Sequence, residues 1–219
     1  MALNTVIFDM DGVLIDSEPS WEEAGNETLA EFGITLNDDQ YVLTTGLRTR
    51  EWIDYWFSHF SLDKRFAKSA EKMIVTKAIE KIRDHANPMP GVDYILRFFS
   101  DKNFSIGLAT SSPMELVEVV TDKLGIRQYM KAFSSAEELV YSKPHPQVYL
   151  NCAEHLEVSP LQCLCFEDSF NGMIAAKAAR MKCVVVPIQK QLDHPKWGSA
   201  DAKISSLHLF DQAVLDSLM

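Results

Sequence analysis

Two carboxylates one residue apart close the first apolar run of the chain, Val6-Ile7-Phe8-Asp9-Met10-Asp11-Gly12-Val13. In extended chain, residues i and i+2 project to the same side, so Asp9 and Asp11 are expected to face one spot. In open α/β sheets ligands bind beyond the carboxyl ends of the strands, which is where both acids would lie. The plain alternative is a solvated turn, because Asp and Gly are common turn residues. Three further stretches weigh against it. Leu108-Ala109-Thr110-Ser111-Ser112-Pro113 sets hydroxyls and backbone donors at the start of a helix, a natural anion site. Ser142-Lys143-Pro144-His145-Pro146 carries a lysine into another helix on a proline-stiffened segment. Cys165-Phe166-Glu167-Asp168-Ser169 ends a second apolar run in two more acids, with Ser169 able to cap the helix that follows.

The elements that must position these groups follow from the pattern of apolar runs. Thr5 to Phe8, Ser105 to Ala109, Cys163 to Phe166 and Cys183 to Pro187 are short and apolar without polar alternation, as in strands covered on both faces. Helical segments over 113–124, 146–156 and 169–180 alternate with them, giving the rhythm of a doubly wound, parallel α/β sheet. From about Glu18 to His85 only helical periodicity appears, and Asn87-Pro88-Met89-Pro90-Gly91 then stops it. The chain is therefore expected to divide into an α/β core over 1–15 and 87–219 and a helical insert over 16–86.

With 219 residues and 47% hydrophobic content, the chain can bury one sizeable core and a small second domain. A net charge of −10 argues against a general electrostatic grip on nucleic acid or an anionic membrane. An anionic ligand would need positive charge supplied locally or by a metal. No stretch approaches the roughly 20 apolar residues of a spanning helix. The start, Met1-Ala2-Leu3-Asn4, shows no secretory pattern, and Cys152, Cys163, Cys165 and Cys183 lack zinc-like spacing. They read as buried thiols in a reducing compartment, so a cytoplasmic address is expected. With no coiled-coil or repeat interface, a monomer is the simplest reading.

Taken together and in this order, the four stretches resemble the motifs of the haloacid dehalogenase superfamily, in particular its β-phosphoglucomutase-like and sugar-phosphatase branch. The tracts Tyr141-Ser142-Lys143-Pro144-His145-Pro146-Gln147-Val148-Tyr149 and Glu167-Asp168-Ser169-Phe170-Asn171-Gly172 are similar to those of bacterial hexose and hexitol phosphatases. The resemblance covers nearly the whole chain, and the helical insert looks like that family's small cap domain. It implies a phosphatase acting on a small phosphorylated metabolite. Asp9 would be the nucleophile, Asp11 the general acid and base, and Thr110, Ser111 and Lys143 the phosphate-binding groups. Asp9, Asp11, Glu167 and Asp168 would form the metal site. The chemistry agrees with those roles. A carboxylate attacking a phosphate dianion needs its repulsion cancelled, and clustered acids with no histidine among them favour Mg2+ over zinc. A sugar alkoxide is a poor leaving group, for which a positioned acid is typically worth about 10²–10⁴ in rate.

Substrate choice should then fall to the insert. Its loop Thr44-Thr45-Gly46-Leu47-Arg48-Thr49-Arg50-Glu51 carries two arginines, of which Arg48 is the better candidate by family resemblance. The alternative is that these are helix-start charges with Thr49 as N-cap. Met89 and the Trp21 and Trp52 rings could line the cleft, but aromatic residues at helical spacing are more often core, so they are given no role in the site. Trp21 stands where β-phosphoglucomutases carry a histidine, which speaks against a phosphomutase. Arg180, at a position often glycine in this family, reads as a cation past a helix end, favourable to the helix dipole. Because Asp9, Asp11, Lys143 and Asp168 are all present, a non-catalytic binding protein is disfavoured.

Overall fold

The computed structural model describes residues 2–44 and 47–219, with only the backbone of Asp38 and Val42. Six strands form one wholly parallel sheet: β1 (Thr5–Phe8), β2 (Ser105–Thr110), β3 (Ala132–Ser135), β4 (Cys163–Glu167), β5 (Lys182–Val185) and β6 (Ala202–Lys203). Their order is β3-β2-β1-β4-β5-β6, so the chain direction across the sheet reverses at β1. Thr5 to Phe8 pair with Ser105 to Leu108 on one side and with Cys163 to Phe166 on the other. That register brings the C-terminal ends of β1, β2 and β4 side by side at the reversal point, where such sheets bind ligands.

The central strands have few polar residues because helices cover both faces. Val6, Phe8, Leu108, Leu164 and Phe166 belong to one core layer, while Ile7, Ala109, Cys163, Cys165 and Cys183 belong to the other. In the first layer Phe8 stacks on Phe166 at 5.0 Å between ring centroids. All four cysteines are free and buried. Burial pushes the Cys152 and Cys163 thiols up to about 12, which leaves them small apolar fillers.

Between β1 and β2 the chain forms α1 (Glu18–Ala30), α2 (Asp38–Thr44), α3 (Thr49–His59), a 3-10 turn and α4 (Ala67–His85), followed by α5 (Val92–Asp101). No strand lies between Phe8 and Ser105 among the described residues. Helix α1 packs on α4, and along that seam Lys77 pairs with Glu27 and Glu31, and Lys81 with Glu23 and Glu27. These pairs lie at the surface, where solvent screening leaves them little net stability. The apolar faces hold the helices together: Ala24 and Leu29 on α1, Ile53, Trp56 and Phe57 on α3, Ile74, Ala78 and Ile82 on α4 are all buried.

After β2 come α6 (Met114–Lys123), α7 (Gln147–His155), α8 (Phe170–Ala178) and α9 (Gln212–Leu218). The sequence places β5 one residue late. Lys182 pairs with Leu164, and beyond Val186, whose N–H still donates to the Glu167 carbonyl (2.7 Å), Pro187 has no N–H to extend the ladder. Helix α8 likewise stops at Ala178, and exposed Arg180 lies past it at φ 65°, in the left-handed region. Its backbone, more than its charge, is what the helix end requires, and glycine adopts it without the Cβ penalty. Arg180→Gly is expected to raise stability by about 1 kcal/mol, measured as a higher urea midpoint at constant m-value.

Candidate active site

The end of β1 delivers Asp9, whose N–H still bonds to the Phe166 carbonyl at 3.0 Å, and the chain then leaves the sheet through Met10, Asp11 and Gly12. Gly12 sits at φ 72°, and a Cβ there would lie 2.1 Å from Asp168 Oδ2. Only glycine lets the first loop pass this close to the acid at the end of β4. Asp9 is 6% exposed and Lys143 3%, while Glu167 is fully buried.

The Lys143 ammonium donates to Asp9 Oδ1 at 2.8 Å, to Glu167 Oε1 at 2.6 Å and to the Ala109 carbonyl at 3.2 Å. Its peptide bond to Pro144 is cis. Burial works against its charge, but Asp9 and Glu167 outweigh that and hold its pKa above the ordinary lysine value. Glu167 Oε1 also accepts from the Tyr149 hydroxyl, and Oε2 from the Ser169 hydroxyl at 3.1 Å. Ser169 caps α8 as expected, its oxygen accepting from the Gly172 N–H at 3.0 Å. A Cβ on Gly172 would fall 1.9 Å from Glu167 Oε1. Because the glutamate is pinned by three side chains, Gly172→Ala is expected to cost about 1–3 kcal/mol of stability, measured by urea unfolding.

Asp11 takes hydrogen bonds on both oxygens. Ser17 (2.6 Å) and the Trp21 indole N–H (3.0 Å) donate to Oδ1, and Ser112 (2.7 Å) and Thr110 (3.3 Å) donate to Oδ2. Core and insert therefore both fix this carboxylate. Thr110 also accepts from the Ser112 N–H (3.0 Å), and Ser111 shares a hydrogen bond with Ser142 (3.1 Å).

Ligand atoms of Asp9, Glu167 and Asp168 lie within 4.8 Å of one another. Burial, then Glu167, pushes Asp9 up to about 8, although Lys143 opposes the shift. Burial, then Asp9 and Glu167, raises Asp168 well above the usual carboxylate range. Three crowded acids served by one lysine lack positive charge, and an all-oxygen donor set suits a hard divalent cation. The Asp11 side chain is not among those three, its oxygens being turned to the four donors above.

One cavity joins these groups to the insert, and from the core Asp9, Asp11, Thr110, Ser111, Lys143 and Asp168 line it. Glu18, Trp21, Tyr41, Arg48, Trp52 and Ile74 are among the residues that line it from the insert. Trp21 and Trp52 thus line the cleft, the less favoured of the two readings their spacing allowed, while Met89 lies in a separate groove beside Pro88 and Pro90. Arg48, not Thr49, is the N-cap residue of α3. Its Nη1 donates to the core carbonyls of Ala136 (2.9 Å) and Leu139 (2.6 Å), and its Nη2 to Glu51 (3.3 Å). Arg48 therefore reaches the cavity wall while tied to the core. Arg50 points elsewhere, pairing with Glu71 at 3.4 Å. Thr45 and Gly46 of this loop lie outside the described residues. Sequence reasoning missed Ser17 and Tyr149 as contacts of the site, and read Ser112 as an anion-site hydroxyl where it donates to Asp11. A hydroxyl gives no periodic signal, and its partner is set by tertiary structure.

A parallel sheet whose reversal point carries an acid pair, a buried lysine and a hydroxyl-lined helix start, all under a helical insert, defines a class of α/β hydrolase. The chain belongs to the haloacid dehalogenase-like hydrolase family, whose sequence profile matches residues 6–186. It is 40% identical over 202 residues to hexitol phosphatase B of Escherichia coli (strain K12), covering 92% of this chain and 91% of that one. It is 29% identical over 185 residues to a fructose-1-phosphate phosphatase of the same organism, covering 83% and 95%. Its fold matches a β-phosphoglucomutase from Clostridium difficile with a TM-score of 0.87 over 98% of this chain and 96% of that one, at 21% identity. Among the described residues no helix is long and apolar enough to cross a membrane.

Proposed function

We propose that this chain is a Mg2+-dependent phosphatase of small sugar or sugar-alcohol phosphates, acting through a covalent aspartyl-phosphate on Asp9. The observation that carries the reading is the convergence of Asp9, Asp11 and Lys143 on one cavity shared by core and insert. The likeness to hexitol phosphatase B supports the substrate class. In this reading residues 1–15 and 87–219 form the catalytic core and 16–86 a cap over it.

An Asp9 oxygen attacks phosphorus, the bond from phosphorus to the sugar oxygen breaks, and Asp11 hands its proton to that oxygen. Water then attacks phosphorus with Asp11 accepting a proton, which frees inorganic phosphate and restores Asp9. Thr110, Ser111 and Lys143 bind the phosphoryl oxygens. Mg2+ would be held by Asp9, Asp168 and the Asp11 main-chain oxygen with Glu167 in reach, and supplies the positive charge that lets two anions meet. Ser17, Trp21, Thr110 and Ser112 hold the Asp11 side chain in position for that proton transfer. Arg48 joins cap to core through the Ala136 and Leu139 carbonyls at the wall of the same cavity.

The test is inorganic phosphate release from a panel of hexose, deoxyhexose, hexitol and pentose phosphates, with Mg2+ and with excess chelator. Release from six-carbon phosphates that chelator abolishes, without any bisphosphate activator, is the expected result. Interconversion of sugar phosphates without net release would make the protein a mutase instead. Mg2+ is also expected to raise the unfolding temperature, by mass action on three crowded acids, with Asp168→Asn removing most of the rise.

A further inference from the structure

We propose that Glu18 is a specificity residue of this cavity, selecting leaving groups that carry neutral hydroxyls and rejecting those that carry an acid. The inference rests on the phosphatase reading and deepens it. Glu18 opens α1, half-buried, and lines the cavity. Trp21, three residues on and so on the same helix face, donates its indole N–H to Asp11, the group that serves the leaving oxygen. Glu18 therefore stands beside the first atoms of the substrate beyond the ester.

Two properties make it a selector. No described residue donates a hydrogen bond to its carboxylate, so its acceptor positions are left for ligand hydroxyls. Tyr41 lines the same cavity, and burial, then the charge of Glu18, holds its phenol protonated. The Glu18 acceptor, with Trp21 and Trp52 lining the same cavity, matches a polyol, which has hydroxyls on one side and C–H groups on the other. A negative charge finds the opposite reception. Burial, then Asp11, Glu22 and Asp16, pushes Glu18 up to about 7, and the same acids oppose any further anion. The nearby cations are engaged: Lys143 with Asp9 and Glu167, and Arg48 with core carbonyls and Glu51.

The experiment compares kcat/KM for paired esters differing only by a carboxylate in place of CH2OH: glycerol phosphate with 3-phosphoglycerate, and glucitol 6-phosphate with 6-phosphogluconate. Wild-type protein should favour the neutral member of each pair by about 10²-fold, the scale of a like-charge clash in a closed site. Glu18→Gln should shrink that ratio at least about tenfold, in part through an absolute gain on the acidic esters, which no folding defect can produce. Glu18→Asp, which keeps the charge, should keep the preference for the neutral esters. An unchanged ratio in Glu18→Gln, or no gain on either acidic ester, overturns the proposal. Para-nitrophenyl phosphate separates the two levels. If the wild type hydrolyses it in a chelator-sensitive way, the phosphatase reading stands whatever Glu18 does. If the wild type hydrolyses none of these esters, the phosphatase reading falls and this inference with it.

Discussion

Asp9→Asn is expected to lower turnover of every phosphate ester by at least about 10⁴-fold, the order seen when a covalent nucleophile is removed. The amide has the same shape but no nucleophilic oxygen of comparable strength, and no neighbour can replace it. Asp11 is fixed by four donors, and Glu167 is pinned behind Lys143. The fold should survive, because the substitution removes one of three crowded acids whose burial already pushes Asp9 to about 8. Urea unfolding should therefore show a loss of no more than about 1 kcal/mol. A large loss of activity together with a large loss of stability would point to a structural role instead.

Lys143→Met is the second large effect, and its signature is the reverse, with stability and activity both falling. Lys143 is 3% exposed and is, among the described residues, the one ammonium bonded to both Asp9 and Glu167. Without it two buried carboxylates are left uncompensated, a change that typically costs about 3–5 kcal/mol when a buried ion pair is broken from one side. Methionine keeps the length and apolar stem of lysine, so a cavity contributes little to the loss. Combining Lys143→Met with Glu167→Gln should recover part of the stability and none of the activity. Strict additivity in that pair, measured by urea unfolding, would mean the two groups do not depend on each other.

The central strands were legible because burial on both faces makes each a short unbroken apolar run. Edge strands carry no such signal. Ala132–Ser135 has two serines in four residues, and Ala202–Lys203 is a single pair, so neither stands out from a loop. Helix α5 also went unread, hidden behind the prolines that end the insert. The four chemical stretches were readable because each lies at a strand end or helix start, where local sequence sets the backbone. What brings them together was not. Gly12 is a site residue only because Asp168 approaches it from the end of the neighbouring strand β4, and Gly172 because the first turn of α8 folds back against Glu167. Trp21 looked like core from its spacing, and its hydrogen bond to Asp11 depends on how α1 is set over β1. Arg48 was legible as a candidate in the insert's loop, but the Ala136 and Leu139 carbonyls that hold it lie far along the chain.

The most direct measurement is a rapid-quench single turnover with a sugar phosphate labelled in its phosphoryl group, stopped in acid and mapped by peptide. The account predicts transient label on the peptide containing Asp9, stable in acid, released by hydroxylamine as an acyl phosphate is, and absent in Asp9→Asn. Inorganic phosphate appearing at full rate with no protein-bound label at any time would contradict it.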